Sequence, residues 1–190
     1  MAFTKRWRFA ALLILILPLL GAASACSGPI PNRNPVGEAF PAVVGESLQK
    51  EAVAFPKAVA GEVAVLLVGY KQNTQFDIDR WLMGLLQAGV EARVYELPTI
   101  PGLVPTIISG WIDNGMRSGI PEDDWGAVVT FYGDAAEPIA ELTGTENGRN
   151  ARVLVLDRAG QVVWFSDQGY SPRLALELNA VVSRLASSEG

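Results

Sequence analysis

The 190-residue chain has no histidine and a single cysteine, Cys26. Without an imidazole, a serine–histidine triad, a cysteine–histidine pair and a histidine-ligated zinc are all excluded. A lone thiol forms no internal disulfide and leaves no dithiol to exchange one. Basic residues are also the minority, 15 against 20 acidic for a net charge of −5. Nucleic acid is therefore not an expected partner. What remains is a chain 49% apolar, long enough for one domain with a full core.

The longest apolar run, "FAALLILILPLL" at residues 9–20, follows Lys5, Arg6 and Arg8 and precedes the small residues "GAASA". That is the tripartite form of an export signal, and residues 1–25 are read as one. An uncleaved transmembrane anchor competes with this reading, but Pro18 breaks a stretch already at the short limit for a span. Removing residues 1–25 takes 3 basic residues and no acid, leaving 12 against 20 and a net charge of −8. Cys26 falls directly after "ASA", which resembles the lipobox of bacterial lipoproteins, where the cysteine is acylated and becomes the new N-terminus; Ala23 stands where Leu is commoner. Ordinary signal peptidase also accepts "ASA", and then the protein is secreted with an incidental thiol. On the lipoprotein reading, several acyl chains such as palmitate hold Cys26 on a bacterial membrane, facing the periplasm or the cell surface. Residues 26–37 become the lipidated cysteine and a short, stiffened tether, and residues 38–188 the domain.

Within that domain "VAVLLVGY" (63–70), "AVVTFY" (127–132) and "ARVLVL" (151–156) are continuous apolar runs, as suits strands covered on both faces. "VEARVYEL" (90–97) alternates, which places it nearer an edge. Ile78, Trp81, Leu82, Leu85 and Leu86 have helical spacing, as do Val104, Ile107, Ile108, Trp111 and Ile112, and a third set runs from Leu174 to Leu185. Thr74 with Asp77, and Asp134 with Glu137, have capping-box spacing; Ser171–Pro172 opens a helix, and Gly89 and Gly119 stand where helices should stop. Residues 157–161 turn one strand back on the next, and residues 38–60 are expected to form a strand or hairpin.

The resulting order, strand–helix–strand–helix–strand–helix–strand–strand–helix, implies an α/β fold with one central mixed sheet and helices on both faces. It resembles the thioredoxin fold in its larger, peroxiredoxin-like variant. The resemblance places a CxxC motif at the start of the helix after the first core strand, and a proline before a later strand. Here those places read "YKQNTQFD" (70–77) and Asn150, so thiol redox chemistry is absent from that junction. The run 142–171, "LTGTENGRNARVLVLDRAGQVVWFSDQGYS", further resembles the mitochondrial ATP synthase assembly factors of thioredoxin-like fold, with Asn147, Leu156, Asp157, Trp164 and Gly169 at the matching positions. That resemblance implies assistance to assembly of a membrane complex, without catalysis or cofactor.

Strand ends of a parallel sheet open on one crevice, so Lys71, Gln72, Asn73, Gln75, Glu96 and Asp134 are expected near it, as a binding site or as caps and solvated polar groups. "GWIDNGMRSGIPEDDWG" (110–126) combines residue types enriched at interfaces. Gln75, Trp111, Asp113, Met116, Arg117 and Trp125 are the candidate partner-binding residues, with burial of both tryptophans as the alternative. The acidic triplet Glu122–Asp124 lacks loop-ligand spacing, and no metal is expected. The function expected is non-redox binding or assembly assistance to a membrane-protein client; an enzyme using carboxylates and amides, and a passive envelope component, are the alternatives.

Overall fold

The structure is a computed structural model and describes residues 28–102 and 106–187. The expected signal segment, Cys26 and Val104 lie outside these residues. Seven strands form one sheet in the order β2-β1-β5-β4-β3-β6-β7. The elements are β1 (Val43–Ser47), β2 (Ala52–Phe55), β3 (Ala64–Gly69), α1 (Gln75–Ala88), β4 (Arg93–Ile100), α2 (Thr106–Gly119), β5 (Val129–Tyr132), α3 (Glu137–Thr143), β6 (Arg152–Leu156), β7 (Val162–Ser166) and α4 (Pro172–Ser187). β3, β4 and β5 are parallel, β6 and β7 return antiparallel, and β1 and β2 form a hairpin on the β5 edge.

The valine-rich runs are continuous because both sheet faces are covered. Alternate residues of β3 serve different cores. Leu66 and Val68 pack with Phe131, Ile139 and Leu142 and with Phe40 and Phe55 from the amino-terminal hairpin region. Phe55 meets Phe40, Tyr95 and Phe131 edge-on at 6.2, 5.2 and 6.2 Å, a geometry aromatic rings prefer. On the other face Val65 and Leu67 pack with Ile78, Trp81 and Leu85 of α1 and Leu174, Leu178 and Val182 of α4. Trp81 is fully buried between Trp164 and Tyr170, and Gly84 is required there because a Cβ would overlap the Tyr170 ring.

α1 stops at Gly89, which takes the left-handed conformation (φ 68°) as its position implied. Ser171 bonds the Leu174 N–H at the start of α4. β4, expected nearer an edge, lies between β3 and β5. Its alternation has another cause: regular pairing with β5 covers only Thr99 and Ile100, so the first half of β4 is half-exposed although central.

Two residues of the apolar stripe of α2, Ile108 and Trp111, face away from the core. Among the described side chains of α2, Asp113 is the buried one, while Trp111 is 78% exposed and Ile108 is also exposed. The reason lies under the helix. A right-handed crossover puts α2 on the α1 face of the sheet, and there β5 offers Thr130 and Tyr132, its apolar Val129 and Phe131 pointing the other way. A polar floor has nothing apolar to bury, and Tyr132 instead donates its hydroxyl to Asp113 at 2.7 Å.

Candidate functional site

At the carboxyl end of β3 the chain makes one 3-10 turn, Gln72–Thr74, and enters α1. Thr74 is fully buried; its hydroxyl donates to the Gly148 carbonyl at 2.6 Å and accepts the Lys71 N–H. Asp77 is buried too, and its carboxylate accepts the N–H groups of Ala151 (3.0 Å) and Tyr170 (2.9 Å) and a bond from Arg80. The expected capping box is therefore not formed: Thr74 is itself helical and makes no cap bond. Asp134 and Glu137 form none either, since the residue before α3 is Ala136, without a side-chain bond. Thr74 and Asp77 serve the turns 148–151 and 167–170, whose buried backbone groups need partners.

Beneath these turns lies Arg152, the first residue of β6 and fully buried. Its Nη1 donates to the carbonyls of Asn150 (2.8 Å) and Asn147 (3.3 Å), and its Nη2 to the Asn32 side chain (2.7 Å) and the Glu146 carbonyl. Nε has no partner. Burial lowers the guanidinium's affinity for its proton, opposed by Tyr70, Asp167 and Glu146, yet arginine remains charged. Tyr70 gives its ring to the cation and its hydroxyl to the Ile139 carbonyl and Thr143; burial pushes the phenol up to about 12. The sequence held a signal for Arg152 that went unread: a lone cation in a run otherwise covered on both faces.

The amino-terminal segment closes the cluster. Ile30 exchanges bonds with Thr145, Asn32 bonds Glu146 and Asp167, and Gly144 is needed because a Cβ would strike Pro31 and Asn32. Residues 30–33, expected within a free tether, are thus bound to the domain. The reason is the unpartnered surface of the 143–146 turn, which this segment supplies with donors and acceptors.

The candidate partner residues do not converge on the strand-end junction. Gln75 is there, donating to Asp79 and, at 3.3 Å, to Glu96. Burial raises the Glu96 pKa, the Gln75 bond lowers it, and the charges of Asp79 and Asp124 raise it again. Asp113 is held by Tyr132, whose phenol is pushed well above its usual range by burial and then by that carboxylate. Met116 is half-buried. Arg117 donates to the Leu48 carbonyl at 2.7 Å and sits over the Trp125 ring, while the Trp125 indole donates to Ile120. These residues fasten the carboxyl end of α2 beside Leu48, where β1 ends. Of the six, Trp111 and Gln75 are the exposed ones. Sequence reading missed the large exposed side chains Phe76 and Met83 of α1, and Leu86, expected on the apolar stripe, is 75% exposed at its edge.

Two open grooves lie elsewhere, one of about 410 Å³ beside Val43, Phe55, Pro56 and Gly160, the other of about 440 Å³ beside Glu62, Arg93 and Arg158. Among the described residues no three acidic or cysteine side chains are placed to hold a metal ion, and no helix is long and apolar enough to cross a membrane.

No family model matches the chain, and no curated protein matches it in sequence. Solved structures do resemble it. A SCO1/SenC family lipoprotein from Bacillus anthracis str. Ames is 13% identical, covers 82% of this chain and 99% of its own, and superposes with a TM-score of 0.51. The pneumococcal exposed lipoprotein thioredoxin from Streptococcus pneumoniae strain TIGR4 is 11% identical, with coverage of 74% and 99% and a TM-score of 0.51. The fold is thioredoxin-like. The five residues matched to the assembly factors have local structural duties here. Asn147 has φ 55° and gives its carbonyl to Arg152, Leu156 is core, and Asp157 closes the 157–161 turn. Trp164 packs on Trp81, and Gly169 (φ 80°) fits against Asn150.

Proposed function

We propose that this chain is a lipid-anchored, extracytoplasmic protein of thioredoxin-like fold that binds or helps assemble a membrane-protein client and carries out no thiol redox chemistry. One observation carries the reading. The junction where dithiol chemistry would sit, residues 70–77, has no thiol, and the internal bonds of Thr74, Asp77 and Arg152 tie its turns together. A protein with no thiol at this junction still presents Phe76, Met83 and Leu86 along exposed α1, spaced for a partner's apolar surface. The resemblance of residues 142–171 to assembly factors supports the same direction.

Fatty-acid labelling should mark the wild type and not Cys26→Ser; equal labelling would remove the anchor from the proposal. A photo-crosslinker placed at Met83 in intact cells should join one membrane protein that a crosslinker at Glu177 does not. Identical background from both positions would leave the passive envelope component as the better reading. The enzyme alternative is favoured by one residue, Glu96, whose raised pKa befits an acid–base group. A reaction abolished by Glu96→Gln would establish it.

A further inference from the structure

We infer that the carboxyl edge of the sheet lies on the lipid surface, with Ile108 and Trp111 at the amino end of α2 entering it as a second apolar contact beside the anchor. The inference rests on the reading of Cys26 as the lipidated residue. Ile30 is already bonded to Thr145 and Glu146 in the turn between α3 and β6, so three residues, or four Cα-to-Cα steps, separate the docked chain from Cys26. Fully extended they reach about 14 Å. The domain therefore cannot swing freely; whatever stands at that edge stands near the bilayer.

α2 begins at the same edge. It follows the carboxyl end of β4, and β4 and β6 are the two neighbours of β3, about 10 Å apart. A Cβ at Gly133 would lie 3.4 Å from the Gly102 carbonyl, so the start of the β4–α2 connection touches the turn that leads into α3, whose other end receives Ile30. From Thr106 to Ile112 the helix has no charged residue. Ile108 and Trp111 are 49% and 78% exposed, on a helix whose floor includes the polar Thr130 and Tyr132. Trp111 is about 8 Å along the axis from the start of α2, comparable to the roughly 5–10 Å to which apolar faces enter a bilayer interface. Tryptophan favours that depth. Charge does not supply the attraction, because Glu146, Asp134 and Glu137 offset Lys71 and Arg149 on this edge and the chain from Cys26 has the net charge of −8 obtained above. The contact is apolar and suits a neutral lipid surface.

The sheet and both cores lie within residues 28–187, so a chain begun at Cys26 keeps the folded body. Its only thiol can be coupled to a maleimide phospholipid in phosphatidylcholine vesicles, which separates this test from whether cells acylate Cys26; fatty-acid labelling decides that independently. With brominated acyl chains, part of the tryptophan emission should be quenched, Trp111→Phe should lose that component, and Trp125→Phe should retain it. Raising the salt should leave the quenching unchanged. Equal quenching of wild type and Trp111→Phe, or none in either, would overturn the inference. So would a doubled mass in vesicle-free solution that Trp111→Phe abolishes, since the face would then belong to a second copy of the chain.

Discussion

The guanidinium carbon of Arg152 lies 5.5 Å from the centre of the Tyr70 ring, and the two side chains together fill the space beneath the strand-end turns. A buried cation is costly unless its donors are used. Here two nitrogens reach Asn147, Asn150, Glu146 and Asn32. Arg152→Met leaves those oxygens without donors, and a loss of about 3–5 kcal/mol is expected. Arg152→Lys should fall between, since one ammonium cannot span all four acceptors. Urea denaturation with an unchanged m-value would measure both.

Asp77 joins three segments through one carboxylate. Asp77→Ala strands the N–H groups of Ala151 and Tyr170, at about 1–3 kcal/mol for each unsatisfied group. Asp77→Asn keeps one acceptor oxygen and should lose about half as much. Hydrogen exchange should localise the damage: the Ala151 and Tyr170 amides should lose protection first, and unchanged protection would contradict the assignment.

Tyr70 titrates late. Its folded pKa of about 12 stands above the ordinary phenol value of 10.0, so the folded state holds the proton more tightly. Its contribution to stability is full below pH 10 and disappears as the pH rises through 12. Tyr70→Phe should flatten the alkaline fall in melting temperature, leaving the part due to Tyr132, which is shifted the same way. Absorbance of tyrosinate against pH would show one fewer late transition.

Glu96 gives the opposite sign from a salt-bridged carboxylate. Its folded pKa is raised, so folding favours the protonated form and the ionised carboxylate weakens the fold at neutral pH. Glu96→Gln should raise the melting temperature at pH 7, and the gain should vanish as the pH falls below the ordinary carboxylate range. A gain that persists in acid would point to altered packing instead.

Asn32→Ala removes an acceptor from Arg152 and a donor from Asp167. A loss of about 1–2 kcal/mol is expected. Trypsin should also cut after Arg33 sooner than in the wild type, with the rest of the domain intact.

The element order was legible because Val-rich runs and 3.6-residue spacing report burial directly, as in β3 and β6 or at Trp81 and Leu85. Three things were not. The spacing in α2 is that of a buried stripe, yet what lies beneath a helix is set by distant residues, here Thr130 and Tyr132. Thr74 and Asp77 have the spacing of a cap, but turns 70 and more residues away compete for the same oxygens. The position of β4 depended on strand order, which alternation does not encode. Of the candidate site, Gln75 lies at the junction, while Asp113, Arg117 and Trp125 make bonds and contacts that hold α2 to its neighbours.

The docking of residues 30–33 has a mechanical meaning. A pull applied at the amino-terminal end does not run along a slack leash to β1. It meets first the bonds of Ile30 to Thr145 and of Asn32 to Glu146 and Asp167, and through Asn32 the load passes to Arg152 and the end of the central sheet. Tension on that end is borne by the interior of the protein, and the first element to yield under it would be the cover over Arg152.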